Sequence, residues 1–458
     1  MSDETLKRFN TAKLISFAVG FFGLQFAWQM RIILSGPVTE SLGASPFIFG
    51  LIWLAGPFTG MVVQPLIGAL SDKTKSVFGR RRPYLLGGAL LSALALIALP
   101  NSQAITNWIS SHLNMTFPAL AALFFAAVMI WILDACVNIA QGPYRALVPD
   151  VVPKEQHSIA NSYISLAIGL GSVVAAAAAP FLKWAFNFQM SVNAQFLMAA
   201  IAFTLGMTWT CIFIKERKYE SQETEVAEKF DFIKSLKEFF ALSPEVGKIC
   251  LMQFFTWIGN MCMMIYFTQY AVHTVFGVPD LSVGVNVGVN EGIKASYESL
   301  VVSGTNFSSI CFAIFNLICF LVAIPIGVMA GKYGNKKVHI ISMISMAIAF
   351  LGMAFTFNPV AVAVLMGISG IGWASICALP FAMLSRYIKT GTEGSVMGIF
   401  NIFIAGPQVF VCTLVSWFIN KCAFETGTGV NYHWEYTFII GAICLILASL
   451  VAAKVKED

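Results

Sequence analysis

Twelve apolar runs, separated by short polar or charged stretches, recur along the chain at 11–35, 47–70, 84–99, 117–140, 159–182, 194–214, 249–272, 307–330, 338–357, 360–384, 396–419 and 436–453. A helix that crosses a bilayer needs about 20 mainly apolar residues, because the hydrocarbon layer is about 30 Å thick. The runs are continuously apolar, whereas strands of a membrane barrel alternate over segments of roughly ten residues. They therefore predict helices, the spanning element that satisfies its own backbone hydrogen bonds. The first run is long enough to span, and no short apolar core with a small-residue cleavage site precedes it, so it is expected to stay as helix 1. The pattern predicts an all-α membrane protein with twelve transmembrane helices.

Composition strengthens this reading. Hydrophobic residues make up 58% of the 458 and charged residues only 11%, against roughly a quarter in soluble domains. A water-soluble fold of this size cannot hide so much apolar surface. The net charge of +5 does not point to nucleic acid, since the basic residues flank the runs instead of forming one soluble face. With the N-terminus inside, only Lys183, Lys294 and Lys421 of the 28 Lys and Arg fall in outer loops, and Arg31 falls within a run. The positive-inside rule then puts both termini in the cytoplasm, with the plasma membrane, or a bacterial inner membrane, as the expected location.

Two features divide the chain. A charged stretch at 215–248, amphipathic near 230–240, reads as a cytoplasmic linker between six-helix bundles at 1–214 and 249–458. An internal echo relates them: PLIGALSDK followed by GRRR after helix 2, and PIGVMAGKYGNKK after helix 8, so that Pro65, Gly68 and Lys73 correspond to Pro325, Gly327 and Lys332. Two halves of one design fit the parallel repeat of a rocking transporter, with its site between them near mid-membrane. The outer stretch 273–306 reads either as a solvated loop or as a cap on the outer mouth.

Charge inside hydrocarbon is costly and usually faces a cavity or a partner. Of 23 acidic residues only Asp134 lies well inside a run, and Arg31 is the only basic one there. Alternate exposure of Asp134 to water on either side could load and release a proton, and its carboxylate can accept from solute hydroxyls. Arg31 would hold that carboxylate ionised if it reached it. It lies outward of the middle of helix 1 by about 9 Å at 1.5 Å per residue, so snorkelling to the outer headgroups is the competing expectation.

Gln25, Gln29, Asn138, Gln141, Asn161, Asn316, Asn401 and Gln408 add amides to the spans, and Trp28, Trp257 and Trp373 add flat faces. This mixture suits a polyhydroxylated neutral solute, although amides also join helices. The inner loop SDKTKSVFGRRRPY sets Asp72, Lys73, Arg80, Arg81 and Arg82 beside Gly68 and Gly79. The glycines are expected to permit close helix approach and a tight turn, and the charges to latch cytoplasmic ends during gating. The ten cysteines lie mostly in spans without metal spacing. The five histidines, His112, His157, His273, His339 and His433, sit at span ends or in loops, so no enzyme site converges. A solute sensor would need a signalling extension, which the short tails are not expected to supply beyond the linker between helices 6 and 7. Sodium coupling would need several oxygen ligands, and one intramembrane acid favours the proton.

The chain also resembles a known family. LQFAWQM, WLAGPFTGMVVQPLIGALSD, FGRRRPYLLGG, LDACVNIAQGPYRALVPD, ANSY, PFAMLS and MGIFNIFIAGPQ, in this order and across both halves, are similar to the plant sucrose transporters and their bacterial and animal relatives, the glycoside-pentoside-hexuronide:cation symporter group of the major facilitator superfamily. The resemblance implies that superfamily's fold and proton-coupled symport of an α-glucoside such as sucrose or maltose, with a sugar uniporter or a sodium-coupled carrier as alternatives. It implies a monomer with a sugar and the bilayer as partners, and no cofactor beyond the proton. It maps the proton-carrying, sugar-contacting Asp onto Asp134 and the neighbouring amide onto Asn138, with Val137 where plant members commonly carry a second Asn. Gln141 and Arg145 fall on the QGPxRAL motif, Asn161 on the helix 5 Asn, and Asn401 and Gln408 on the helix 11 motif. Plant members have a neutral residue where Arg31 stands and an Arg in helix 8, where 307–330 here has no charge. The positive partner is thus expected to have moved from helix 8 to helix 1.

Overall fold

Side-chain caps and prolines start several helices where the apolar runs begin. Asn10, Ser45, Ser191, Ser243 and Asn358 accept backbone N–H bonds in the first turns, and Pro46, Pro244 and Pro359 directly follow Ser45, Ser243 and Asn358 at positions that need no donor. A computed structural model describes residues 8–118, 120–216, 232–279, 291–387, 393–426 and 429–456. Among them are twelve helical segments long and apolar enough to cross a membrane, as the sequence predicts. Large apolar side chains stand uncovered along them, Phe124 at 73%, Val328 at 69% and Ile324 at 79% exposure, which a lipid environment accommodates and water does not.

The chain divides into two units. Unit 1 comprises the described residues of 1–44 and 55–221, and unit 2 those of 45–54 and 222–458. In chain order the helices are α1 (Thr11–Ser41), α2 (Pro46–Trp53), α3 (Ala55–Lys73), α4 (Arg82–Ala98), α5 (Ser102–Leu113), α6 (Ala121–Val151), α7 (His157–Phe186) and α8 (Val192–Phe213). They continue with α9 (Phe232–Ala241), α10 (Pro244–Gln269), α11 (Glu291–Tyr333), α12 (Asn335–Phe355), α13 (Pro359–Ser385), α14 (Glu393–Phe410), α15 (Ser416–Lys421) and α16 (Glu435–Ala453). Wide π-helical turns at Tyr270–Val275 and Val411–Val415 extend α10 and join α14 to α15.

Helix pairing repeats between the units. In unit 1, α1 packs on α7 and α8, α4 on α6 and α8, and α3 on α6. In unit 2, α10 packs on α14 and α16, α12 on α13 and α16, and α11 on α13. Numbered by span, the second set is the first shifted by six, which gives the sequence echo a structural counterpart.

Several boundaries differ from the sequence reading. The second span is interrupted at Leu54, and its first part, α2, groups with unit 2 instead of with the first bundle. Close packing explains this: a Cβ on Gly50 would lie 1.8 Å from Ser416 Oγ and 2.4 Å from the Cys412 carbonyl oxygen, and Phe49 meets Tyr266 edge-on at 6.3 Å. Gly68, expected to allow close approach, has nothing among the described residues within 4 Å of a Cβ built on it. The stretch 273–306, expected to lie outside, is helical from Glu291 onward; its residues 280–290 lie outside the described residues, as do 217–231 of the linker. The amphipathic segment appears as α9, whose Phe239 is buried and whose Phe240 packs edge-on against Phe403. An antiparallel hairpin, β1 (Ala423–Thr426) with β2 (Gly429–Tyr432), precedes α16; four-residue strands leave too short an alternation to detect against the neighbouring apolar runs.

Gly50→Ala should cost about 1–3 kcal/mol through overpacking and lower the thermal midpoint of the purified protein. Gly68→Ala should leave it unchanged or slightly higher.

Candidate functional site

Three helices of unit 1 build the polar centre. α1 supplies Trp28, Gln29 and Arg31; α3 supplies Thr59; α6 supplies Asp134 and Asn138, four residues apart and therefore on one face. Arg31 Nη2 donates to Asp134 Oδ2 at 2.6 Å, and the two side chains are 1% and 0% exposed. Arg31 thus turns inward to the carboxylate and does not snorkel. The pairing leaves Asp134 Oδ1 with no hydrogen-bond partner among the described residues. The guanidinium also lies 5.3 Å from the centre of the half-buried Trp28 ring, in cation–π range.

Asn138 secures the other side of this centre. Its Nδ2 donates to Thr59 Oγ1 at 3.1 Å and to the Asp134 carbonyl at 2.9 Å, and Thr59 donates to the Ala55 carbonyl. Below it, α6 is held by Tyr144, which is fully buried, donates to the Phe17 carbonyl, lies 3.1 Å from Thr210 Oγ1 and stacks on Phe21 at 4.0 Å. The tyrosine of the QGPYRAL stretch therefore fixes the helix that carries Asp134 against α1 and α8.

The remaining expected contacts are dispersed. Gln25 is half-buried where α1 meets Gly171 of α7. Asn161 is exposed and bonds to the His157 carbonyl of its own helix. Gln141 is half-buried and Arg145 exposed on α6. In unit 2, Trp257 of α10 and Trp373 of α13 meet edge-on at 5.8 Å. Asn401 is exposed, and Gln408 bonds to the Ile404 carbonyl of its own helix. Gln253 and Asn260, which the sequence reading did not single out, are fully buried beside Trp257 on α10; polar residues at 253, 257 and 260 within an apolar run are the signal that would have found them. His339, read as a span-end residue, is fully buried and its Nδ1 lies 2.8 Å from Ser375 Oγ.

At the end of unit 1 where α3 gives way to α4, the arginines form a clamp. Arg80 Nη2 meets Asp150 Oδ1 at 2.5 Å and Arg81 Nε meets Asp150 Oδ2 at 3.0 Å, while Arg81 Nη1 donates to Ser71 Oγ and Arg82 Nη2 to the Cys211 carbonyl. Glu216, just beyond α8, accepts the backbone N–H groups of Arg80, Arg81 and Arg82 at 2.8–3.0 Å. Gly79, with φ +102°, makes the turn that aligns those three donors. Sequence reasoning named the arginines but missed Asp150 and Glu216. It expected a latch to other cytoplasmic ends, and among the described residues the arginines meet two other helix ends, Asp150 near the end of α6 and Glu216 past the end of α8. The Asp72 side chain lies outside the described residues.

Comparison with known proteins agrees with this architecture. The family model of the Major Facilitator Superfamily matches residues 15–305 and 293–457. A general alpha-glucoside permease of Schizosaccharomyces pombe is 30% identical over 58% of this chain, and the match spans just under half, 49%, of that permease. A sucrose transport protein of Arabidopsis thaliana is 28% identical over 85% of this chain and 80% of its own length, and one of Oryza sativa subsp. japonica 27% identical over 87% and 85%. Among solved structures, a nucleoside transporter (D323A mutant) superposes with a TM-score of 0.69 at 12% identity over 97% of this chain and 99% of that one, and a D-xylose–proton symporter with 0.65 at 15% over 98% and 99%. All of these are transporters, not enzymes. The chain is a multi-pass membrane protein and belongs to the Major Facilitator Superfamily.

Proposed function

We propose that the protein carries an α-glucoside disaccharide of the sucrose or maltose type across the plasma membrane together with a proton, by alternating access. The observation that carries this reading is the fully buried Arg31–Asp134 pair with one carboxylate oxygen left without a partner among the described residues, in a chain similar to sucrose transport proteins over more than four fifths of its length. Asp134 Oδ1 is an acceptor suited to a sugar hydroxyl, Asn138 offers an amide beside it, and Trp28 offers a flat face for the ring.

Coupling follows from the cost of a lone charge. A proton on Asp134 removes the negative partner of Arg31, and a buried guanidinium without its carboxylate is strongly disfavoured. A sugar whose hydroxyls bond to both groups relieves that penalty, so proton and sugar bind best together. Return of the empty carrier is favoured once Asp134 is ionised and paired again. The Asp150 and Glu216 clamp keeps the inner end of unit 1 a single block throughout.

Uptake of labelled sucrose, maltose and glucose into proteoliposomes, with and without an imposed pH gradient, tests the reading. Gradient-driven disaccharide uptake by the wild type and its loss in Asp134→Asn are expected; uptake that ignores the gradient and survives the substitution would sink the proton-carrier role. Arg31→Gln should displace the pH profile of transport.

The pair also predicts a stability pattern that transport alone does not. Asp134→Leu strands Arg31 and should cost about 3–5 kcal/mol, read as a lower thermal midpoint. The double variant Arg31→Met/Asp134→Leu should recover most of the midpoint while remaining inactive.

A further inference from the structure

Gln253, Trp257 and Asn260 occupy positions i, i+4 and i+7 of α10 and so share one helix face. Gly259, which packs against Gly441 and Leu445 of α16, points about 100° away from Asn260, so this face is not the one that holds α10 to α16. Gln253 and Asn260 are fully buried, yet neither the nitrogen nor the oxygen of either amide has a hydrogen-bond partner among the described residues, and the same is true of the Trp257 indole N–H.

Four other amides in the spans do not behave this way, and Gln29, Gln269 and Asn420 each have only one amide atom in that condition. Asn138, Asn161, Asn316 and Gln408 each donate to a carbonyl four residues back in their own helix. That solution is open to any helical amide, and amides that join helices bond across them. Buried polar groups without partners are rare in native proteins because each bears its full desolvation cost. Two adjacent amides and an indole N–H in this condition form a set held ready for a ligand.

The chemistry of the set selects that ligand. An anion would leave the two amide oxygens uncompensated, and a cation would leave the NH2 groups and the indole N–H uncompensated. A hydroxyl both donates and accepts, and satisfies either end. Trp373 stands edge-on to Trp257 at 5.8 Å, and Phe315 stacks on Trp373 at 6.3 Å, adding apolar ring faces. Asn260 lies at the middle of the span Pro244–Val275, and Gln253 about 10 Å nearer the cytoplasmic end at 1.5 Å per residue, a spacing that two linked rings cover and one ring does not.

We infer that this face of α10 is a hydroxyl-binding subsite of unit 2 in which Gln253 and Asn260 hold different rings of a neutral disaccharide. The inference rests on the α-glucoside reading above and adds the residues that distinguish a disaccharide from a monosaccharide.

Gln253→Leu and Asn260→Leu, purified and reconstituted as the full chain, test it with sucrose and maltose as probes. Each substitution should raise the KM for the transported disaccharide about tenfold, the size of one neutral hydrogen bond lost, and weaken thermal stabilisation by that sugar. The sugar-free midpoint should stay level or rise, because an unpartnered buried amide is replaced by an apolar group of similar size. An unchanged KM in both variants, or a fall in the sugar-free midpoint that accompanies the loss of uptake, overturns the inference and leaves the α-glucoside reading standing. If the wild type itself neither takes up nor is stabilised by sucrose or maltose, the α-glucoside reading fails and the subsite falls with it.

Discussion

Hydrocarbon does not solvate charge, and the polar interior of unit 1 is arranged around that constraint. Arg31 is tolerable because Asp134 neutralises it at 2.6 Å, and Asp134 is held in reach because Tyr144 and Asn138 bind α6 to its neighbours. A pair of this kind is a weak source of stability, since both charges had to leave water to make it. It is, however, easy to unbalance, since loss of either charge leaves the other buried and uncompensated.

The two units share a pairing scheme but not a chemistry. Unit 1 keeps a cation and an anion buried together, whereas α10 in unit 2 buries neutral amides and an indole N–H. Duplicated architecture thus carries unlike contents, an ion pair in one unit and neutral hydrogen-bonding groups on α10 of the other. Fold repetition sets the frame, and function lives in the side chains placed on it.

Much of the frame was legible in the sequence because hydrophobic runs of membrane length have few alternative structures. Asp134 and Arg31 stood out for the same reason, as exceptions to an otherwise apolar pattern. What stayed hidden depended on distance in the chain. Helical depth suggested that Arg31 was too far outward, but an arginine side chain is long enough to turn back, so depth of the Cα misjudged the head group. Glu216 looked like the first acid of a linker; only the fold brings it to three backbone donors 134–136 residues earlier. The departure of α2 from the first bundle rests on Gly50 meeting Ser416 and Cys412, a contact no local pattern announces. Gln253 and Asn260 were visible as letters, but their lack of partners is a three-dimensional fact.

The π-helical turn at Val411–Val415 has a bearing on how the eleventh span is interpreted. A turn closed by i to i+5 bonds holds an extra residue, and one residue is about 100° of rotation in a helix of 3.6 per turn. Side chains of α15 are therefore out of phase with those of α14: a helical wheel drawn straight through from Asn401 and Gln408 assigns Ser416 and Asn420 to the wrong azimuth. The hydroxyl of Ser416 closes this turn by donating to the Val411 and Cys412 carbonyls and receives the Tyr266 hydroxyl at 2.8 Å. Periodicity along this span consequently has two registers, with Ser416 as the point at which one gives way to the other.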